Sequence, residues 1–63
     1  MNNVIDNDTL LTLTDIATIL KIGRAKAYEL PRTTGFPAIK IGRQYRVFYS
    51  DLMQWLNTMK QSS

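Results

Sequence analysis

Seven of the eight Lys and Arg side chains in this 63-residue chain fall between positions 21 and 46, a window that holds one acid, Glu29. Seven cations against one anion put that segment at +6, whereas the first twenty residues carry −3 from Asp6, Asp8 and Asp15, and the chain from Val47 onward is neutral. The chemistry open to such a cluster is ionic: ammonium and guanidinium groups neutralise phosphates and release their counterions. On a domain too small to enclose a substrate pocket, a one-sided basic field is the footprint of a surface that meets a polyanion. Duplex DNA is the polyanion it points to.

Bond-making chemistry has no comparable foothold. The sequence contains neither histidine nor cysteine, which removes the commonest general base, the thiolate nucleophile and the usual zinc ligands. Five carboxylates, with no glycine-rich phosphate loop, supply no nucleophile and base pair and no three-ligand metal set. Neither an enzyme nor a cofactor is expected. A chain this short builds one core, held by packing alone in the absence of disulfides. It has no apolar run near the ~20 residues that span a bilayer and no basic, apolar leader, so it reads as a soluble cytoplasmic protein with no membrane partner.

Several short elements must position the cations. Residues 1–8 are mostly Asn and Asp, with only Val4 and Ile5 apolar beside Met1, and read as a mobile arm ahead of a domain over residues 9–60. Thr14 followed by Asp15 reads as an N-cap with an acid in the first turn. Ile16, Ile19 and Leu20 then predict a helix over residues 15–20. Lys21-Ile22-Gly23 makes a turn in which Gly23 either takes a positive φ or caps the next helix. A second helix is predicted over residues 24–30, stopped by Pro31, with Leu30 biased out of the α region by the proline after it. Two short helices joined by a three-residue turn form a helix-turn-helix signature.

From Ala38 the apolar period falls to two, which predicts a hairpin. A two-residue loop would set Ile41 against Gln44 and Ile39 against Arg46, so a three-residue loop, Gly42-Arg43-Gln44, is expected. Ile41 then faces Tyr45 and Ile39 faces Val47 on the buried side, with Lys40 and Arg46 together on the other. Opposed like charges cost stability unless an anion lies between them, which itself hints at phosphate. Ser50 caps a last helix from Asp51, whose core stripe is Leu52, Trp55, Leu56 and Met59, and residues 61–63 fray. The fold class expected is small α+β, a winged helix-turn-helix.

On a wheel of about 100° per residue, Ala27 and Leu30 turn to the core while Ala25, Tyr28 and Glu29 face outward, flanked by Arg24 and Lys26. Ala25 allows close approach to a major groove or touches a thymine methyl, and Arg24 and Lys26 reach guanine edges or phosphates. Tyr28 either holds a phosphate with its hydroxyl or covers the edge of the core, and Glu29 is read as a solvated surface group in preference to an acceptor for cytosine N4. On the hairpin, Lys40 and Arg46 form a cationic edge and Arg43 enters the minor groove from the tip. The aromatic residues Phe36, Tyr45, Phe48, Tyr49 and Trp55 are assigned to the core rather than to a base-stacking platform.

The runs Leu10-Leu11-Thr12-Leu13-Thr14-Asp15-Ile16-Ala17, Leu20-Lys21-Ile22-Gly23-Arg24, then Tyr28, Pro37-Ala38-Ile39-Lys40-Ile41-Gly42-Arg43-Gln44-Tyr45-Arg46-Val47 and Asp51-Leu52-Met53-Gln54-Trp55-Leu56 resemble the excisionase-type winged helix-turn-helix family. That family is related to the DNA-binding heads of MerR regulators and to the AlpA phage regulators. The resemblance implies a sequence-specific double-stranded DNA-binding protein of a phage or other mobile element, which bends DNA beside an integrase and tips recombination towards excision. It also implies possible cooperative self-association on DNA and a place in the nucleoid of a bacterial or phage-infected cell. An AlpA- or MerR-like transcription regulator is the alternative in the same fold, and a protein-binding inhibitor with a basic face the alternative of another class. By resemblance the DNA contacts fall on Arg24, Ala25 and Lys26 of the second helix and on Lys40, Arg43 and Arg46 of the wing. Many relatives have a longer second helix, whereas Leu30-Pro31 shortens it here.

Overall fold

In the computed structural model, which describes residues 9–61, the first helix starts earlier than its apolar spacing predicts: α1 is Leu13–Leu20, and Thr12 rather than Thr14 is its N-cap. The reason is a capping box. Thr12 Oγ1 accepts from the Asp15 amide and Asp15 Oδ2 accepts from the Thr12 amide, both at 3.0 Å. An acid three residues after the cap can close this reciprocal pair, and one residue after Thr14 it cannot. Thr14 lies within the first turn, where its carbonyl accepts from the Thr18 hydroxyl.

The left-handed residue that ends α1 is Lys21, at φ 57° and ψ 46°, with its amide donating back to the Ala17 and Thr18 carbonyls. Gly23 takes the second of its two expected roles, as N-cap of α2 (Arg24–Glu29), with φ −69°. Leu30 overturns its expectation: it keeps right-handed helical angles, φ −57° and ψ −39°. Pro31 therefore does not stop the helical path at once. It sits inside one 3₁₀ turn, Leu30–Arg32, closed by the Thr33 amide on the Leu30 carbonyl at 2.8 Å. Near the start of such a turn the proline's missing N–H would have had no partner in any case.

Three antiparallel strands form the wing sheet in the order β1-β3-β2: β1 (Leu10–Leu11), β2 (Ile39–Ile41) and β3 (Gln44–Phe48). Too short to show a period, β1 has no counterpart among the elements expected from sequence. It pairs Leu11 with Val47 and Leu10 with Phe48. The hairpin corrects the expected register. Ile39 faces Arg46, Lys40 faces Tyr45 and Ile41 faces Gln44, leaving a two-residue loop, Gly42-Arg43. Gly42 is left-handed at φ 63° and Arg43 is not, the sign pattern of a type II′ turn, whose twist matches that of the flanking strands.

This register turns Ile39 and Ile41 outward and splits Lys40 from Arg46, which stand on opposite faces. The expected like-charge pair does not form. What decides the facing is the buried Val47–Leu11 pair at the base of the sheet: Tyr45 shares the Val47 face, and its cross-strand partner Lys40 comes with it.

The last helix, α3 (Tyr49–Gln61), starts two residues before the expected Asp51 and takes Ser50 into its first turn. Its start is tied to the strand ahead of α1, because the Tyr49 amide donates to the Thr9 carbonyl at 2.9 Å. Leu52 is fully buried, and Trp55 and Leu56 pack at the core's margin, but Met59, expected in that stripe, is 51% exposed. Phe48 likewise lies on the outer sheet face rather than in the core. Leu11, Ile16, Phe36, Val47 and Leu52 are the centre of the core, with Trp55 set edge-to-face on Phe36 at 4.8 Å between ring centroids. Each of the larger of these side chains contributes about 1.5–3 kcal/mol by burial. The arm expected over residues 1–8 lies outside the described residues.

Candidate nucleic-acid interface

The sites predicted from sequence occupy two elements and the space between them. On α2, Arg24, Ala25 and Lys26 are all exposed, whereas Ala27 is fully buried, so the wheel drawn from sequence has its inner side right. Tyr28 is 57% exposed and does not cover the core. At about 100° per residue, Arg24 lies roughly 40° from Tyr28 on the same flank, while Lys26 lies roughly 160° round the helix. Helix two therefore offers two flanks, one with Arg24 and Tyr28 and the other with Lys26.

An open cleft of about 490 Å³ separates the first flank from the wing. Thr12 and Thr14 border it at the start of α1, Tyr28 on α2, and Arg43, Tyr45 and Arg46 on the hairpin. Its origin is the shortness of β1. Because β1 ends opposite Val47, the edge of β3 from Gln44 to Arg46 is unpaired on that side and becomes a wall of the cleft. The Tyr45 carbonyl on this edge is satisfied by a side chain instead: Arg46 Nη1 donates to it at 2.8 Å, and Nη2 donates to Gln44 Oε1. Arg46 is thus half-buried and held along its own strand while still bordering the cleft.

Lys40 is held differently, with its Nζ 5.8 Å from the centre of the Tyr45 ring, within reach of a cation–π attraction. Arg43 stands exposed at the tip of the turn. Of the seven predicted site residues, Tyr28, Arg43 and Arg46 meet at one cleft, Lys40 joins them through Tyr45, and Arg24 adjoins along α2. Ala25 and Lys26 look elsewhere on the helix.

Sequence reasoning missed Gln44, placed in a loop, and Thr12, both of which line the cleft. The Thr12-x-x-Asp15 spacing was the signal that could have found Thr12. The start of α1 adds little positive potential of its own, since Asp15 already satisfies one of its amides and places a carboxylate there. The cations that line the cleft are Arg43 and Arg46, and Arg24 lies outside the lining on the same flank of α2 as Tyr28.

Residues 10–60 match the family described as "Helix-turn-helix domain", which takes in all three helices and the whole sheet save the last residue of α3. Over 51 residues the chain is 35% identical to "Uncharacterized protein YvgK" of Bacillus subtilis (strain 168), an alignment covering 81% of this chain and 17% of that protein. The chain thus spans about a sixth of the length of that relative. No solved structure matches. The arrangement of two short helices across the left-handed Lys21, with a hairpin wing after the second, agrees with the sequence match. The chain belongs to the helix-turn-helix domain family.

Proposed function

We propose that the protein is an excisionase-type factor of a phage or mobile element, binding duplex DNA with α2 in the major groove and the wing in the adjacent minor groove. The cleft shared by Tyr28 of α2 and Arg43 and Arg46 of the wing carries this reading. A duplex strand running along it meets the Arg43 and Arg46 cations on the wing side and the Tyr28 hydroxyl on the α2 side. Arg24, Ala25 and Lys26 read or approach base edges from α2, Tyr28 donates to a phosphate, and Arg43 enters the minor groove. Arg46 and Lys40 support the backbone from positions fixed by Gln44 and Tyr45.

One module buries only ~600–1,000 Å² on DNA, so side-by-side copies and an integrase partner complete the bent excision complex. Binding without chemistry suffices for this role. The test is a salt titration of binding to the element's own end sequences. Neutralising about five phosphates gives a log-log slope near −4 to −5, with a footprint on repeated sites beside the integrase sites. A flat slope with no sequence preference would exclude the DNA reading. A footprint confined to a promoter would replace excision with transcriptional regulation.

A further inference from the structure

The wing tip carries an apolar side chain that neither the fold nor a phosphate can use. Ile41 is 54% exposed, more than any other described Leu, Ile, Val, Met or Phe. It stands immediately before the Gly42-Arg43 turn, opposite the polar Gln44, and is not part of the buried core. Positions 30–50 contain no Asp or Glu, so the segment that holds Ile41 carries cations, neutral polar groups and apolar side chains but no carboxylate. Such a charge pattern draws this surface against the DNA backbone. A sec-butyl group gains nothing from phosphate, but it gains by leaving water against the faces of stacked bases.

We infer that Ile41 is a minor-groove wedge: with Arg43 beside it in the groove, it presses between two base pairs, partly unstacks them and kinks the duplex. This rests on the reading above that the wing enters the minor groove, and adds the residue that bends DNA and the kind of site it selects. The geometry suits the task. A two-residue turn with one left-handed glycine makes a narrow, stiff tip, and aliphatic wedges of this kind bend DNA by roughly 20–90°. The preferred target is a flexible pyrimidine–purine step, TA or CA/TG, flanked by A·T pairs whose narrow groove attracts Arg43. Ile39, Phe48 and Leu10, exposed at 38%, 36% and 40%, continue the same sheet face away from the tip. Were the whole strip a docking face for a second copy, Ile41 would matter to cooperativity and not to the bend.

The experiment uses the full chain on a duplex with a single binding site, end-labelled for fluorescence resonance energy transfer and carrying 2-aminopurine at successive positions. Wild type should shorten the end-to-end distance and raise 2-aminopurine emission at one step. Ile41→Ala should lose at least half of the bend and the emission rise while affinity falls less than about tenfold, and Ile41→Leu should restore both. Unchanged bend and emission in Ile41→Ala overturn the wedge. So does an unchanged bend accompanied by lost cooperativity on a two-site duplex, which would assign the strip to contacts between copies. Failure of wild type to bind the duplex at all overturns the underlying DNA reading instead, and the two failures are therefore distinguishable.

Discussion

The two ends of β3 lie only a few residues apart and obey opposite rules. At its base Val47 is sealed between the helices and β1, paired with the buried Leu11. At its tip Gln44 faces the exposed Ile41 across the turn and borders the open cleft. A single strand thus begins at the open cleft and reaches the core at Val47, one residue before its exposed last residue, Phe48. The lesson is that the wing is a lever whose base is fixed by burial and whose tip is left free of structural duty.

If that division is right, truncation at the base side should unfold the protein. Leu52→Ala, beside Val47 in the core, should cost about 2–5 kcal/mol, a large share of the few kcal/mol available to so small a domain. Urea or thermal melting followed by circular dichroism reads this directly, and a melt within a degree or two of wild type would break the comparison. At the tip the loss should appear in binding instead. Arg43→Ala should weaken duplex binding by about 1–3 kcal/mol, roughly five- to 150-fold, and reduce the salt slope by about one while the melt stays put. Equal affinity would take the wing out of the interface.

The cap lies between these extremes. Thr12→Ala removes one arm of the capping box and should cost about 1 kcal/mol of stability, with Thr12→Ser recovering most of it. Smallest of all is the effect of Ile41→Ala on folding, within about 0.5 kcal/mol, as for an exposed side chain with no structural partner. A larger loss would show that the tip, too, belongs to the fold.

Much of this protein was legible in its residues, and the exceptions share a cause. The helix-turn-helix could be read from Ile16, Ile19 and Leu20 followed by Lys21-Ile22-Gly23, because helical periodicity and turn residues are local signals. The inner side of α2 followed from the spacing of Ala27 and Leu30 for the same reason. The hairpin register could not be read this way. Apolar alternation made Ile39 and Ile41 look buried, yet both are outside, because facing was set by a strand of two residues too short to leave a pattern. Leu30 shows the same limit: the local bias of a residue before proline lost to a 3₁₀ turn that packs Leu30 against the core.

Composition and order along the chain pointed to the function class: cations gathered between positions 21 and 46, and two helices ahead of a basic hairpin. Charge and period are properties of the chain itself and survive without coordinates. Tertiary structure alone decided which cations share a cleft and which isoleucine stands at the tip. Both depend on β1 pairing with the base of β3, a contact between segments some 37 positions apart, and no local propensity records which of two registers such a pairing will select.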